Sequence, residues 1–125
     1  MEKKKVMIID DEEYFLALVK INLESTGKYE VRTLQEARDI LSQVESYKPD
    51  VILLDMLMPK MDGVQVCGML NDSPAGKHIP IITLSASDTT EDRLKMDKMG
   101  VVDFLAKPIE KDELIAKIEK ALQNR

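Results

Sequence analysis

Residues Val51–Asp55 have the sequence VILLD, four apolar residues followed by a single acid. The pattern recurs at Val6–Ile9 (VMII), which an acidic pair follows, and at Ile79–Leu84 (IPIITL), which a serine follows. Continuous apolar runs of this length are typical of strands buried on both faces of a parallel sheet. Two weaker segments complete the set: Tyr29–Thr33 alternates like an edge strand, and Val101–Leu105 precedes a Lys-Pro pair. The sequence therefore predicts five strands.

Helical patterns lie between these runs. Segments 64–72 and 89–99 are predicted to be helical, and Gly27 and Gly100 follow helical stretches as helix stops. Strands that alternate with helices form a parallel sheet covered on both faces. We predict an α/β fold, a doubly wound five-stranded parallel sheet of flavodoxin-like order 2-1-3-4-5 with five helices on both faces. Three further helices are indicated by apolar residues at three- and four-residue spacing: Phe15, Leu18, Val19 and Leu23; Ala37, Ile40, Leu41 and Val44; and Leu114, Ile118, Ala121 and Leu122.

Length and composition fit this fold and argue against several classes of protein. The 125 residues, 44% apolar and 33% charged, suit one domain over residues 1–125. The single cysteine, Cys67, excludes an internal disulfide framework and a cysteine-rich zinc site. A net charge of −5 disfavours direct binding of nucleic acid, which depends on basic side chains. No apolar run is long enough for a membrane span or a signal peptide, so we expect a cytoplasmic protein without membrane contact.

Polar residues end the predicted strands, at Asp10 and Asp11, Asp55, Ser85 and Lys107. The carboxyl ends of parallel strands meet at one edge of a sheet, where open α/β folds bind their ligands. Three carboxylates gathered there repel each other, by roughly 4 kcal/mol for two charges about 4 Å apart at an effective dielectric of 20. Such a cluster either raises a pKa or binds a cation, and a few hard oxygen ligands favour Mg²⁺.

These residue types together suit phosphoryl transfer. An aspartate beside Mg²⁺, an ammonium and a hydroxyl can act as the nucleophile and form an aspartyl phosphate. Each residue alone has a simpler interpretation. The acidic pair can cap the next helix, Asp55 and Ser85 can start loops or turns, and Lys107 can be a solvated side chain. Their joint position at the strand ends favours the site.

The chain resembles the receiver domain of two-component response regulators over almost its whole length. The resemblance rests on four motifs: the acidic pair in Val6–Glu12, the block Leu53–Gly63 (LLDMLMPKMDG), the block Pro80–Ala86 (PIITLSA) and Lys107–Pro108. It implies a signalling switch that is not an enzyme on other substrates and that catalyses only its own phosphorylation and dephosphorylation. The implied partners are a sensor histidine kinase or a histidine phosphotransfer protein.

The resemblance also implies a role for each site residue. Asp55 is the phosphoacceptor and is also one of the metal ligands. Asp11 is a direct Mg²⁺ ligand, Asp10 acts mainly through water, and the backbone carbonyl of Leu57 is the third protein ligand. The position of Leu57 and that of Ser87 border the path of attacking water, so they bear on the lifetime of the phosphoryl group.

Three further roles follow from the same resemblance. Ser85 is the switch hydroxyl that turns toward the phosphoryl group, and Phe104 is the aromatic switch residue that moves inward with it. Phe104 lacks the hydroxyl of a tyrosine, so this switch rests on packing. Lys107 pairs with the phosphoryl oxygens, and its bond to Pro108 is cis in the family.

Two other functions fit the same residues less well. A phosphatase with an aspartate nucleophile usually carries a second aspartate two positions later, where Leu57 stands. A flavin or nucleotide site needs a hydroxyl- and glycine-rich loop after the first strand, and the acidic pair there repels phosphate. A degenerate receiver that only docks to partners stays open as the alternative. Also open are an output domain in a longer chain and a homodimer that forms on phosphorylation.

Overall fold

The structure, a computed structural model, describes residues 2–58, 61–85 and 101–123. Within these residues the chain alternates strands and helices, with a short hairpin after the third strand. In chain order the elements are β1 (Lys4–Ile9), α1 (Glu13–Glu24), β2 (Tyr29–Leu34), α2 (Ile40–Tyr47), β3 (Val51–Asp55), β4 (Leu57–Met58), β5 (Met61–Asp62), α3 (Gly63–Asp72), β6 (Ile81–Ser85), β7 (Asp103–Ala106) and α4 (Lys111–Gln123).

Five parallel strands form the main sheet in the order β2-β1-β3-β6-β7. Counted among themselves, these strands follow the order 2-1-3-4-5, so the predicted doubly wound fold is confirmed. The register pairs Ile9 with Leu54, and Asp55 with Leu84. The carboxyl ends of β1, β3 and β6 therefore lie side by side, at the point where the strand order reverses.

An apolar core covers each face of this sheet. Along β1, Val6 and Ile8 point into one core, which α1 and α4 close, while Met7 and Ile9 point into the other, which α2 and α3 close. All four side chains are fully buried. This two-sided burial explains why the strand sequences are continuous apolar runs rather than alternating ones.

The described residues contain four helices. The predicted helix at 89–99 and the helix stop at Gly100 lie outside them. Gly27, the other predicted stop, follows α1 with φ +77°, a left-handed conformation that glycine adopts without strain. None of the described helices is both long and apolar enough to cross a membrane.

The predicted apolar face of α1 was wrong at one position. Leu18 is 57% exposed, whereas Leu16, together with Val19 and Leu23, is buried against the sheet. The helix has apolar residues on two overlapping stripes, and spacing alone does not tell which stripe faces the sheet. Packing against β1 and β2 selects the stripe that contains Leu16.

The hairpin of β4 and β5 is a feature that the sequence did not predict. Each strand has two residues, too few for a periodic pattern, and they pair in antiparallel fashion just after β3. The loop packs closely on Gly63, where an added Cβ would lie 2.7 Å from the Cα of Met56. Asp62 then starts α3, because its side chain accepts a hydrogen bond from the Val64 N–H at 2.9 Å.

The two leucines of α1 give a matched test of this packing. Leu16→Ala is expected to lower the free energy of unfolding by about 2 kcal/mol, since it leaves a cavity in the core. Leu18→Ala should change it by less than about 0.5 kcal/mol, because the side chain is mostly exposed. Urea denaturation of both variants measures the difference. Equal effects would contradict the observed orientation of α1.

Candidate functional site

The carboxyl edge of the sheet brings together four of the predicted site residues. Asp10 directly follows β1, Asp55 is the last residue of β3, and Lys107 directly follows β7. Asp11 is exposed at the mouth of this cluster, whereas Asp10 is 0% and Asp55 is 5% exposed. Buried carboxylates next to an ammonium form a charged crevice in which the remaining negative charge exceeds the positive charge.

Asp55 is held by its own loop. Its Oδ1 accepts a hydrogen bond from the Leu57 N–H at 3.1 Å, and its Oδ2 lies 3.9 Å from the Nζ of Lys107. Burial raises the pKa of Asp55, and the charges of Asp10 and Asp11 raise it further, while the Leu57 N–H and Lys107 oppose this. The net result is a raised pKa, so the ionised form of Asp55 is held in the site at an energetic cost.

Asp10 is bound on both sides. Its Oδ1 accepts a hydrogen bond from the Glu12 N–H at 2.9 Å, and its Oδ2 lies 2.7 Å from the Nζ of Lys107. This second contact is an ion pair, and Oδ2 is a buried atom that accepts no further hydrogen bond from the described residues. The N-cap of α1 is Glu12, without a side-chain cap, so Asp10 does not cap the helix.

Lys107 has three carboxylates and an aromatic ring around its ammonium. Nζ donates to Oε1 of Glu12 at 2.7 Å and lies 4.4 Å from the centre of the Phe15 ring. Burial lowers the pKa of Lys107, but the contacts with Asp10 and Glu12 and the charge of Asp55 outweigh burial and raise it. Lys107 is therefore a permanent cation at neutral pH. The Lys107–Pro108 peptide bond is cis, as the resemblance to receiver domains implies.

The three carboxylates suit a small divalent cation. Asp10, Asp11 and Asp55 each offer one oxygen, and these oxygens lie within 4.8 Å of one another. The donor set consists only of hard oxygens, which Mg²⁺ prefers, and Oδ2 of Asp10 has unused acceptor capacity in a buried position. The residues present thus fit the predicted Mg²⁺. Burial raises the pKa of Asp55 and carboxylate repulsion adds to this effect; a cation there would offset the repulsion.

Removing the charge of Asp55 should stabilise the metal-free protein. A carboxyl whose pKa is raised on folding favours the folded state at low pH, and this advantage is lost as the pH rises through the raised pKa. Asp55→Asn is therefore expected to increase the free energy of unfolding at pH 7 by about 1 kcal/mol in EDTA. The gain should decline as the pH falls through the raised pKa of Asp55 and vanish below about pH 3, where the wild-type carboxyl is protonated in both states. Urea titrations across this pH range measure it, and a destabilised Asn variant at pH 7 would contradict it.

The other predicted residues are Ser85, Ser87, Leu57 and Phe104. Ser85 ends β6, and its backbone pairs with Ala106 of β7; its hydroxyl and Ser87 are outside what the structure describes. Leu57 begins β4 and its side chain is 71% exposed, beside Asp55 in the loop. Phe104 lies in β7, half-buried against the core, with the Nζ of Lys117 4.7 Å from its ring centre. The switch roles of Ser85 and Phe104 stay predictions.

Sequence reasoning missed two residues of the site. Glu12 and Phe15 both contact Lys107, which is 95 positions from Glu12 in the chain. The available signal was weak. Glu12 directly follows the acidic pair. The apolar spacing predicts only that Phe15 lies on the apolar face of a helix, where it does pack partly against the core.

The chain is similar in sequence to response regulators. The family model of the response regulator receiver domain matches residues 6–119. The chain is 35% identical over 120 residues to the alkaline phosphatase synthesis transcriptional regulatory protein PhoP of Bacillus subtilis, covering 96% of this chain and 49% of PhoP. It is 37% identical over 114 residues to the response regulator PleD of Caulobacter vibrioides, covering 91% of this chain and 25% of PleD. It thus spans about half of PhoP and about a quarter of PleD.

The fold is also similar to that of a solved structure. The chemotaxis protein CheY4 of Vibrio cholerae matches with a TM-score of 0.91 at 26% identity. The match covers 97% of this chain and 100% of CheY4. This similarity shows that the five-stranded parallel fold is shared with CheY4.

Proposed function

Because this chain belongs to the response regulator receiver domain family, we propose that Asp55 accepts a phosphoryl group from a phosphohistidine and thereby changes the protein's contacts. The observation that carries this proposal is the Asp55 carboxylate itself. It is almost fully buried, clustered with two other carboxylates, and 3.9 Å from an ammonium that can meet the oxygens of a phosphoryl group.

The proposed transfer is a single displacement at phosphorus. A carboxylate oxygen of Asp55 attacks phosphorus and forms a P–O bond while the P–N bond of the donor histidine breaks. The imidazole leaves with the electron pair of that bond. Lys107 neutralises charge on the phosphoryl oxygens, and the buried setting strengthens this effect. Mg²⁺, which Asp10, Asp11, Asp55 and the carbonyl of Leu57 would hold, supplies further charge neutralisation when bound.

The response to phosphorylation is also part of the proposal. Ser85 and Phe104 would transmit the change from the site toward β7 and α4, which lie next to it in the sheet and in the core. The donor would be a sensor histidine kinase or a histidine phosphotransfer protein in the cytoplasm. The reader would be an output domain, a separate protein or a second copy of this chain. The net charge of −5 argues against direct nucleic-acid binding by these residues.

Intact-mass measurement tests the proposal. The protein is incubated with Mg²⁺ and either acetyl phosphate or phosphoramidate, which carries the P–N bond of a phosphohistidine, and is then quenched rapidly. We expect one phosphoryl adduct that forms with Mg²⁺, is absent in EDTA and is released by hydroxylamine, as an acyl phosphate is. No adduct from either donor would contradict the proposal and favour the alternative, a receiver that docks without phosphorylation.

A further inference from the structure

We propose that Glu12 is a positioning residue that, with Phe15, holds the Lys107 ammonium away from Asp55 and keeps room for the incoming phosphoryl oxygens. This inference rests on the proposed phosphoryl transfer to Asp55. Glu12 lies outside the cluster of Asp10, Asp11 and Asp55, and its role would be to restrain the Lys107 ammonium rather than to bind metal.

The distances around Nζ of Lys107 support this arrangement. The ammonium lies 2.7 Å from Oε1 of Glu12 and 2.7 Å from Oδ2 of Asp10, both within the range of charge-assisted contacts. It lies 3.9 Å from Oδ2 of Asp55, which is well beyond the roughly 2.7–2.9 Å of such a contact. The acceptor carboxylate is therefore the one of the three that does not bind the ammonium directly.

Glu12 and Phe15 approach Lys107 from the start of α1. Glu12 is the N-cap residue and Phe15 lies in the first turn, and both contact the same ammonium. The Phe15 ring meets the ammonium at 4.4 Å, a distance suited to attraction between a cation and an aromatic face. Glu12 supplies the hydrogen bond and Phe15 limits where the lysine can move.

The gap matters because Lys107 has a strong alternative partner. If Glu12 were absent, the ammonium could move onto Oδ2 of Asp55, since both groups are mostly buried and oppositely charged. A direct pair would cover the face of the nucleophile and stabilise it before the reaction. With Glu12 in place, the ammonium is ready for oxygens that arrive with the phosphoryl group. This stabilises the transferred group more than the free carboxylate, which is what accelerates the reaction.

Glu12→Ala tests the proposal, with Glu12→Gln as the conservative variant. Misplacing a reacting group by about 1 Å can slow a reaction by up to about a hundredfold. We expect about a tenfold lower maximal rate of phosphorylation by acetyl phosphate in Glu12→Ala, with a similar half-saturating donor concentration. Glu12→Gln keeps an oxygen that can accept from Nζ, so it should recover part of the rate. Glu13→Ala is the matched control, because Glu13 is an exposed acid in the first turn of the same helix.

A second readout does not need the reaction. An ammonium that moves toward Asp55 adds positive charge to the carboxylates that would bind Mg²⁺. Calorimetric titration with Mg²⁺ alone should therefore give a Kd several-fold higher for Glu12→Ala than for Glu13→Ala. Circular dichroism verifies that each variant is folded.

The outcomes separate this inference from the proposed function. A wild-type protein that phosphorylates, with Glu12→Ala at the same rate or faster, would overturn the positioning role and leave the proposed function intact. A wild-type protein that takes no phosphoryl group would overturn the proposed function. In that case equal Mg²⁺ affinities of the Glu12 and Glu13 variants would also remove the positioning role, whereas unequal ones would retain the restraint on Lys107.

Discussion

Asp55→Asn is expected to abolish phosphorylation completely, so that its intact mass stays unchanged under conditions where the wild-type protein gains one phosphoryl group. The amide nitrogen and oxygen of asparagine are too weakly nucleophilic to displace the donor. The substitution preserves the shape of the side chain and its acceptor for the Leu57 N–H, so the site should stay assembled. The result therefore reports on the nucleophile rather than on folding.

A surface aspartate is the matched control for this experiment. Asp72 is exposed at the end of α3, and Asp72→Asn makes the same chemical change far along the chain from the cluster. This variant should phosphorylate like the wild-type protein. An adduct of equal yield on Asp55→Asn would show that another residue is the acceptor, and peptide mapping after borohydride trapping of the acyl phosphate would identify it.

Lys107→Met is expected to lower the free energy of unfolding by about 3 kcal/mol at neutral pH without Mg²⁺. Methionine keeps much of the apolar stem but removes the charge, so Asp10, which is 0% exposed, loses the ammonium at 2.7 Å. Leaving one partner of a buried ion pair uncompensated costs about 3–5 kcal/mol, and we expect the lower end because the Lys107 side chain is 17% exposed.

Mg²⁺ should restore much of this loss. A ligand that binds only the folded state adds about 2.7 kcal/mol at one hundred times its Kd, and the variant should bind Mg²⁺ more tightly because a competing cation is gone. Lys111→Met is the control, since Lys111 is exposed and contacts only the hydroxyl of Ser25 at 3.4 Å among its described hydrogen bonds. Urea denaturation with and without Mg²⁺ measures both variants. A loss under about 0.5 kcal/mol for Lys107→Met would show that the ammonium is not the counter-charge of the cluster.

The phosphorylation defect of Lys107→Met has a different origin from that of Asp55→Asn. The methionine variant keeps the nucleophile but loses the charge that would stabilise the phosphoryl oxygens. We therefore expect a slowed reaction that still yields the adduct, against no adduct for the asparagine variant. The two substitutions thus separate the acceptor from the group that assists it.

The sheet and the acidic cluster could both be predicted from the order of apolar and acidic residues. Residues buried on both faces of a parallel sheet must be apolar throughout, so Val6–Ile9 and Val51–Leu54 are visible as uninterrupted runs. The first polar residue after each run marks the carboxyl end of a strand. Because parallel strands end at one edge of a sheet, the sequence predicts that Asp10 and Asp55 lie close together, as they do.

Which side chains meet at that edge could not be predicted, because it depends on how the helices pack against the sheet. Leu16 rather than Leu18 faces the sheet because packing chooses between two stripes that the sequence leaves equal. With α1 packed in this orientation, Oε1 of Glu12 lies 2.7 Å from Nζ of Lys107, whereas Oδ2 of Asp55 lies 3.9 Å from it. A sequence pattern locates a residue along its strand or helix. It does not show that Lys107 contacts Glu12, which is 95 positions away, because the distances from Lys107 to Glu12 and to Asp55 differ by only about an ångström. Such differences arise only when the helix is packed against the sheet.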